Sequence, residues 1–95
     1  MNTSQLKDRI DNNGFVVITY GDEYIAIGTS PQGISLPYIY SLNGGRLQAG
    51  DWNAVRNAIR QIKLRHPSTS VSVGVDESKR WTNEEIERLI RRRVF

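Results

Sequence analysis

The first apolar positions of the chain are spaced like one face of a short helix. Leu6 and Ile10 lie four residues apart in a polar segment, and Gly14 follows where a helix commonly ends. Thr3 or Ser4 precedes this pattern and supplies the hydroxyl that an N-cap uses. These residues predict a first helix that ends at Gly14 and has two apolar contacts to the rest of the protein.

Two runs of β-branched and aromatic residues follow, at positions 15–20 and 24–29, and turn residues separate them at 21–23. This pattern predicts a β-hairpin. Apolar and polar residues then alternate over positions 34–42, which predicts a third strand with one apolar face. Because Pro37 has no amide hydrogen for a ladder, we expect this strand at a sheet edge or bulged at the proline.

The second half of the chain begins with residues 43–50, which show no clear periodicity and leave their conformation open. A helical pattern starts at Asp51, a good N-cap, and its apolar residues recur every three or four positions. Pro67 excludes the residue before it from the helical region and ends this middle helix. Alternating valines over positions 71–75 then predict a fourth strand with one exposed side.

The final segment has the clearest local signature in the chain. Thr82 and Glu85 have the spacing of a capping box, and Trp81 with Ile86 has that of a hydrophobic staple. Both patterns predict a last helix from about Asn83. Its predicted apolar face consists of Ile86, Leu89, Ile90 and Val94.

The predicted element order is therefore α-β-β-β-α-β-α. A chain of 95 residues and 10.8 kDa has room for one domain, so we expect a single compact domain over residues 1–95. The expected fold is α+β, with an antiparallel meander of about four strands and two amphipathic helices packed on one face.

Residue content excludes several classes of function. The chain has no cysteine, which excludes disulfides, thiolate metal sites and cysteine nucleophiles. His66 is the only histidine, which excludes a multi-histidine metal site and a histidine-dependent triad. Pairs of acidic residues fall at 22–23 and 76–77, in predicted turns where such residues are common. We therefore expect no enzyme, no metal and no cofactor.

The chain also lacks the signals of a membrane or secreted protein. Its apolar runs are far shorter than the roughly 18 residues that a membrane-spanning helix needs. The segment through Asn13 is polar and charged, unlike the apolar centre of a secretory signal. We expect a cytoplasmic protein without a membrane partner.

Charge is distributed unevenly along the chain. Residues 1–45 hold two basic and four acidic residues, whereas residues 46–95 hold eleven and six, which leaves a net charge of +3. Ten of the thirteen basic residues are arginine, which contacts carboxylates and phosphates in bidentate fashion and is enriched at interfaces. The C-terminal half is thus suited to an acidic protein surface or to nucleic acid.

Two groups of basic residues are candidates for a binding surface. Arg56, Arg60 and Lys63 recur at positions i, i+4 and i+7 of the middle helix, opposite its apolar stripe, and we call them the basic ridge. Such a ridge is also the solvated face that every amphipathic helix has. We call the second group the arginine triplet. Its positive charge favours binding of phosphate, but it equally favours the negative C-terminal end of the last helix's own dipole. It consists of Arg91, Arg92 and Arg93.

The aromatic residues of the strands divide into two pairs. Tyr38 and Tyr40 share the parity of the apolar residues in the third strand, so we expect them in the core or at its rim. Tyr20 and Tyr24 flank the hairpin turn, and we expect them to be exposed. Together with Ile39, the exposed pair are the apolar groups that a protein partner would contact.

By elimination and analogy, these features favour a small non-enzymatic binding or inhibitory protein that occludes a macromolecular partner, a protein or nucleoprotein complex. Phages and mobile elements encode such proteins against host defence or transcription machinery, and an anti-CRISPR-like inhibitor is one example. The alternative is a nucleic-acid-binding module that contacts DNA or RNA through the basic ridge and the arginine triplet. The sequence does not indicate an oligomeric state.

Overall fold

The computed structural model of the protein describes residues 2–93, with the side chains of residues 2–92. The predicted α+β class is confirmed, and one further strand joins the predicted element order. The elements in chain order are α1 (Thr3–Asn13), β1 (Phe15–Tyr20), β2 (Glu23–Thr29), β3 (Tyr38–Leu42), β4 (Gln48–Gly50), α2 (Trp52–Arg65), β5 (Val71–Gly74), a 3-10 turn (Glu77–Lys79) and α3 (Asn83–Arg93).

The strands form one antiparallel sheet in the order β4-β3-β2-β1-β5. The predicted hairpin is confirmed, since β1 pairs with β2 from Phe15↔Gly28 to Tyr20↔Glu23. The last strand in the sequence returns to pair with the first, so β5 lies beside β1 at one edge. At the other edge lies β4.

The middle of the chain differs from the prediction. β3 begins at Tyr38 instead of position 34 and lies inside the sheet, between β2 and β4. The expectation that Pro37 marks an edge strand or a bulge was therefore wrong. Pro37 precedes β3, and its carbonyl accepts a hydrogen bond from the Ser30 amide at 2.9 Å. β4 falls in the segment left open, because three residues are too few to produce a recognisable alternation.

Helices α1 and α2 pack on one face of the sheet. Leu6 and Ile10 of α1 and Val55 and Ile62 of α2 are buried there. Every second residue of the strands meets them, because side chains alternate between the two faces of a sheet. The strand residues on this face are Val16, Ile18, Tyr20, Ile25, Ile27, Tyr38 and Tyr40.

Helix α3 packs on the opposite face of the sheet, which differs from the predicted packing of both amphipathic helices on one face. Leu89 of α3 is buried against Ile39 and Leu47, and Trp81 packs against Phe15 and Val17. The sheet is thus covered on both sides. Continuous apolar runs such as residues 15–18 are typical of strands that are buried on both faces.

Local signals fixed most helix ends. Gly14 ends α1 in the left-handed region at φ 78°, and the Asp51 side chain accepts from the Ala54 amide at 2.9 Å, both as predicted. The capping box of α3 is confirmed by hydrogen bonds in both directions between Thr82 and Glu85. The N-cap of α1, however, is Asn2, not Thr3 or Ser4.

Candidate partner-binding groove

The basic ridge borders a groove between α1 and α2. Arg56 and Lys63 lie three residues before and four residues after Ile59, so they share its side of the helix. The prediction that the ridge lies opposite the apolar stripe was therefore wrong. Arg56, Arg60 and Lys63 occupy the flank of α2 that faces the beginning of α1, and all three are exposed.

The groove has two connected parts that share Leu6, Tyr20 and Lys63. The part between the helices encloses about 300 Å³, and its lining comprises Asn2, Thr3, Leu6, Tyr20, Arg56, Ile59, Arg60 and Lys63. The part over the end of the sheet encloses about 510 Å³, and its lining comprises Leu6, Ile18, Tyr20, Lys63, Val71 and Val73. We call the two parts together the α1/α2 groove.

The α1/α2 groove favours negative charge. Within the described part of the chain, no carboxylate forms an ion pair with Arg56, Arg60 or Lys63, and no acid lines either part of the groove. The N-terminal end of α1 opens beside them with no acid in its first turn, so the positive end of its helix dipole is uncompensated. Between these charges lie apolar and aromatic side chains that we call the apolar floor: Leu6, Ile18, Tyr20, Ile59, Val71 and Val73.

The tyrosines and Ile39 do not provide the exposed contacts that we expected. Tyr20 is only 4% exposed and forms part of the groove floor, and this burial raises the pKa of its hydroxyl. Ile39 is 2% exposed, under α3. Tyr24 is half-buried, with the Lys79 Nζ atom 4.4 Å from its ring centroid. The expectations for Tyr20 and Ile39 were wrong because both sheet faces are covered. The burial predicted for Tyr38 and Tyr40 is confirmed.

The arginine triplet lies on α3, across the sheet from the basic ridge. Arg91 pairs with Glu87, four residues earlier on the same helix, at 3.5 Å, and Arg92 donates a hydrogen bond to the Leu47 carbonyl at 3.1 Å. The side chain of Arg93 lies outside the described residues, as does Val94. The triplet and the basic ridge therefore do not form one continuous surface.

One basic residue near the triplet was not among the predicted site residues. Arg46, in the segment left open, lines a pocket of about 320 Å³ together with Glu85, Arg88 and Arg92. Arg88 is paired with Glu84 at 2.8 Å, whereas no described carboxylate pairs with Arg46. A single arginine in an aperiodic segment carries no sequence signal that would have placed it there.

A charged cluster fixes the C-terminal end of α2 close to the groove. Glu23, at the start of β2, accepts from the Arg65 guanidinium at 3.0 Å and lies 2.6 Å from His66 Nε2. Arg65 first, then His66 and Asn43, lower the pKa of Glu23 to about 2. Since these groups satisfy one another, the cluster joins the hairpin turn to α2 and helps to position Lys63.

Among residues 2–93, no group of three or more histidine, cysteine, aspartate or glutamate residues is arranged to hold a metal ion. None of the described helices combines the length and apolar character needed to cross a bilayer. No family model, curated protein or solved structure matches the chain.

Proposed function

We propose that the protein is a non-enzymatic binding protein that holds an acidic segment of a partner protein in the α1/α2 groove and thereby occludes it. One observation carries the proposal. Three cations without a described carboxylate partner border an apolar floor whose lining contains no acid. A ligand that contributes both carboxylates and apolar side chains satisfies both features at once.

The apolar floor favours a protein over nucleic acid. Protein interfaces combine an apolar centre with a polar rim. In the groove, Leu6, Ile59 and Val73 provide the apolar centre, and the cations provide the polar rim. Unpaired bases instead need an aromatic ring with an accessible face, and Tyr20 is buried. Phosphate groups alone would pair with the cations but would make no contact with the apolar floor.

Occlusion follows from binding without chemistry, because a bound segment is withheld from other macromolecules. The biological setting that we propose is anti-defence or host takeover by a phage or mobile element, with an anti-CRISPR-like inhibitor as one form. In that setting, the partner is a protein or nucleoprotein complex whose acidic segment is needed for activity.

The second candidate function is nucleic-acid binding. Two arginines without a described carboxylate partner, Arg46 and Arg92, line a pocket of about 840 Å³ on the α3 side whose described lining contains no acid, and they support contacts to phosphate. Because that pocket and the basic ridge lie on opposite sides of the sheet, one straight nucleic-acid segment cannot contact both. This candidate therefore has less support than a protein partner.

Charge reversal in the groove tests the proposal. The probe, which we call the glutamate–valine peptide, is a synthetic peptide of about ten residues, a length typical of a long strand, with the repeat glutamate-threonine-valine-threonine. Glutamate and valine then share one face of the extended peptide. Arg60→Glu and Lys63→Glu are each expected to weaken peptide binding about tenfold or more, measured by fluorescence anisotropy, because the groove then repels the carboxylates. Arg46→Glu is the matched control, since Arg46 is also exposed and has no described carboxylate partner.

Equal losses in all three variants would mean that the peptide responds to net charge and not to the groove. Peptide binding that is unchanged in Arg60→Glu and Lys63→Glu would contradict the proposal. Thermal unfolding of each variant verifies that the fold is intact.

A further inference from the structure

Strand β5 has an outer edge that the described part of the chain leaves unpaired. It pairs with β1 on one side and ends the sheet on the other. Residues 70–75 contain no charged residue and no proline, the features with which proteins commonly protect an exposed edge. Val71 is 47% exposed, and Val75, just beyond the strand, is 50% exposed. The outer edge of β5 therefore lacks the features that would prevent another strand from pairing with it.

The unpaired edge is continuous with the α1/α2 groove. Val71 and Val73 of β5 line the groove together with Ile18 and Tyr20, the residues with which they pair on β1. Lys63 lines both parts of the groove. A chain that lies along β5 would thus direct every second side chain into the groove, beside a cation.

We propose that the partner's acidic segment binds as an extended strand added to β5. This inference rests on the proposed function and specifies the conformation of the bound segment. Main-chain hydrogen bonds to β5 would hold the strand. Among the side chains on its groove face, apolar ones would cover Val71 and Val73, and carboxylates would approach Lys63 and Arg60. Strand addition of this kind takes its affinity from the main chain and its specificity from the pockets beside the edge.

A second copy of the protein is a poorer occupant of the edge. Antiparallel pairing of two β5 strands about a two-fold axis would place both helical layers on the same side of the joined sheet. Lys63 and Arg60 of one copy would then face the same residues of the other across a shared groove, and like charges would repel. An acidic strand meets the opposite charge.

Backbone methylation of the probe separates strand addition from simple groove binding. The glutamate–valine peptide is made in two further forms, one N-methylated at the threonine amides and one at the glutamate and valine amides. Amides of alternate residues point to opposite edges of a strand, so only one form loses the donors that face β5. We expect that form to bind about tenfold more weakly than the unmodified peptide, and the other to bind nearly as well.

A protein variant provides the second readout. Val71→Ser is expected to weaken binding of the unmodified peptide several-fold, because the substitution removes apolar area from the groove lining. Leu64→Ser is the matched control, because Leu64 is an exposed apolar residue that lines neither part of the groove, and it is expected to leave affinity unchanged.

The possible results have different meanings. If both methylated peptides bind as well as the unmodified one, strand addition is wrong and groove binding stands. If the unmodified peptide does not bind, the proposed function fails and this inference fails with it. A peptide-free dimer that Val71→Ser dissociates in sedimentation would assign the edge to a second copy and overturn the proposed occupant.

Discussion

At the scale of single residues, Trp81 joins α3 to the sheet. Its indole Nε1–H donates to the Ser41 hydroxyl at 3.1 Å, and its ring meets Phe15 edge-to-face with the centroids 5.3 Å apart. Gly28 lies directly beneath the indole, where a Cβ atom would be 2.9 Å from the ring. The contact therefore depends on a glycine in the middle of the sheet.

Gly28→Ala is expected to destabilise the protein by about 1–3 kcal/mol, the usual effect of overpacking a core. The added methyl group would press on Trp81 and on the Gly14 carbonyl at 3.1 Å, and the backbone can yield little. Urea unfolding measures the change. Gly74→Ala is the control, because its Cβ would meet no atom within 4 Å. Equal stability of the two variants would show that the indole does not lie as described.

The residues that the sequence predicted correctly are those with local partners. Asp51 caps a helix whose pattern begins beside it, and Thr82 and Glu85 cap each other. The predicted exposure of Tyr20 and Ile39 was wrong because their burial depends on elements far away in the chain. Tyr20 is covered on the α1 side of the sheet, and Ile39 is covered by α3. The alternation of apolar and polar residues within one strand does not show whether other elements cover both faces of the sheet.

At the scale of elements, Glu23 links the β1–β2 hairpin to the end of α2. Because Arg65 and His66 lower the pKa of Glu23 from 4.5 to about 2, its carboxylate contributes stability at neutral pH. That contribution is complete above about pH 4.5 and is lost as the pH falls from 4.5 towards 2.

Glu23→Gln is therefore expected to be less stable than the natural protein at pH 7, and the difference is expected to shrink as the pH falls from 4.5 to 2. Urea midpoints across this range measure it. Asp8→Asn is the control, since Asp8 forms no ion pair among the described residues. A Glu23→Gln deficit that stays constant with pH would contradict the assigned link.

Element order was predictable, but element placement was not. The helix and strand patterns of the chain are local, and each long element was found within a few residues of its observed bounds. β4 was missed because it has three residues, and β3 was extended too far because the alternation over residues 34–42 continues into the preceding loop. The face that α3 covers depends on the chain path after β5, which no local pattern encodes.

At the scale of the whole molecule, the sheet separates the two groups of basic residues that both lie in the C-terminal half of the sequence. The basic ridge faces the α1 side, whereas the arginine triplet and Arg46 lie on the α3 side. Ion pairing also reduces the uncompensated positive charge on the α3 side, because Arg91 and Arg88 already contact glutamates. Four residues of the candidate site, the basic ridge and Tyr20, were therefore predicted from sequence, and the rest of its apolar floor was found only in the fold.

The most direct test of the central claim is to map binding on the isotope-labelled natural protein by NMR, at about 50 and 200 mM salt. The probes are the glutamate–valine peptide and mixed-sequence single- and double-stranded DNA and RNA. We expect the peptide to shift the amides around Leu6, Tyr20 and Lys63 at both salt concentrations, because apolar contacts persist when charges are screened. Tight nucleic-acid binding that weakens steeply with salt, with no peptide shifts in the groove, would contradict the account.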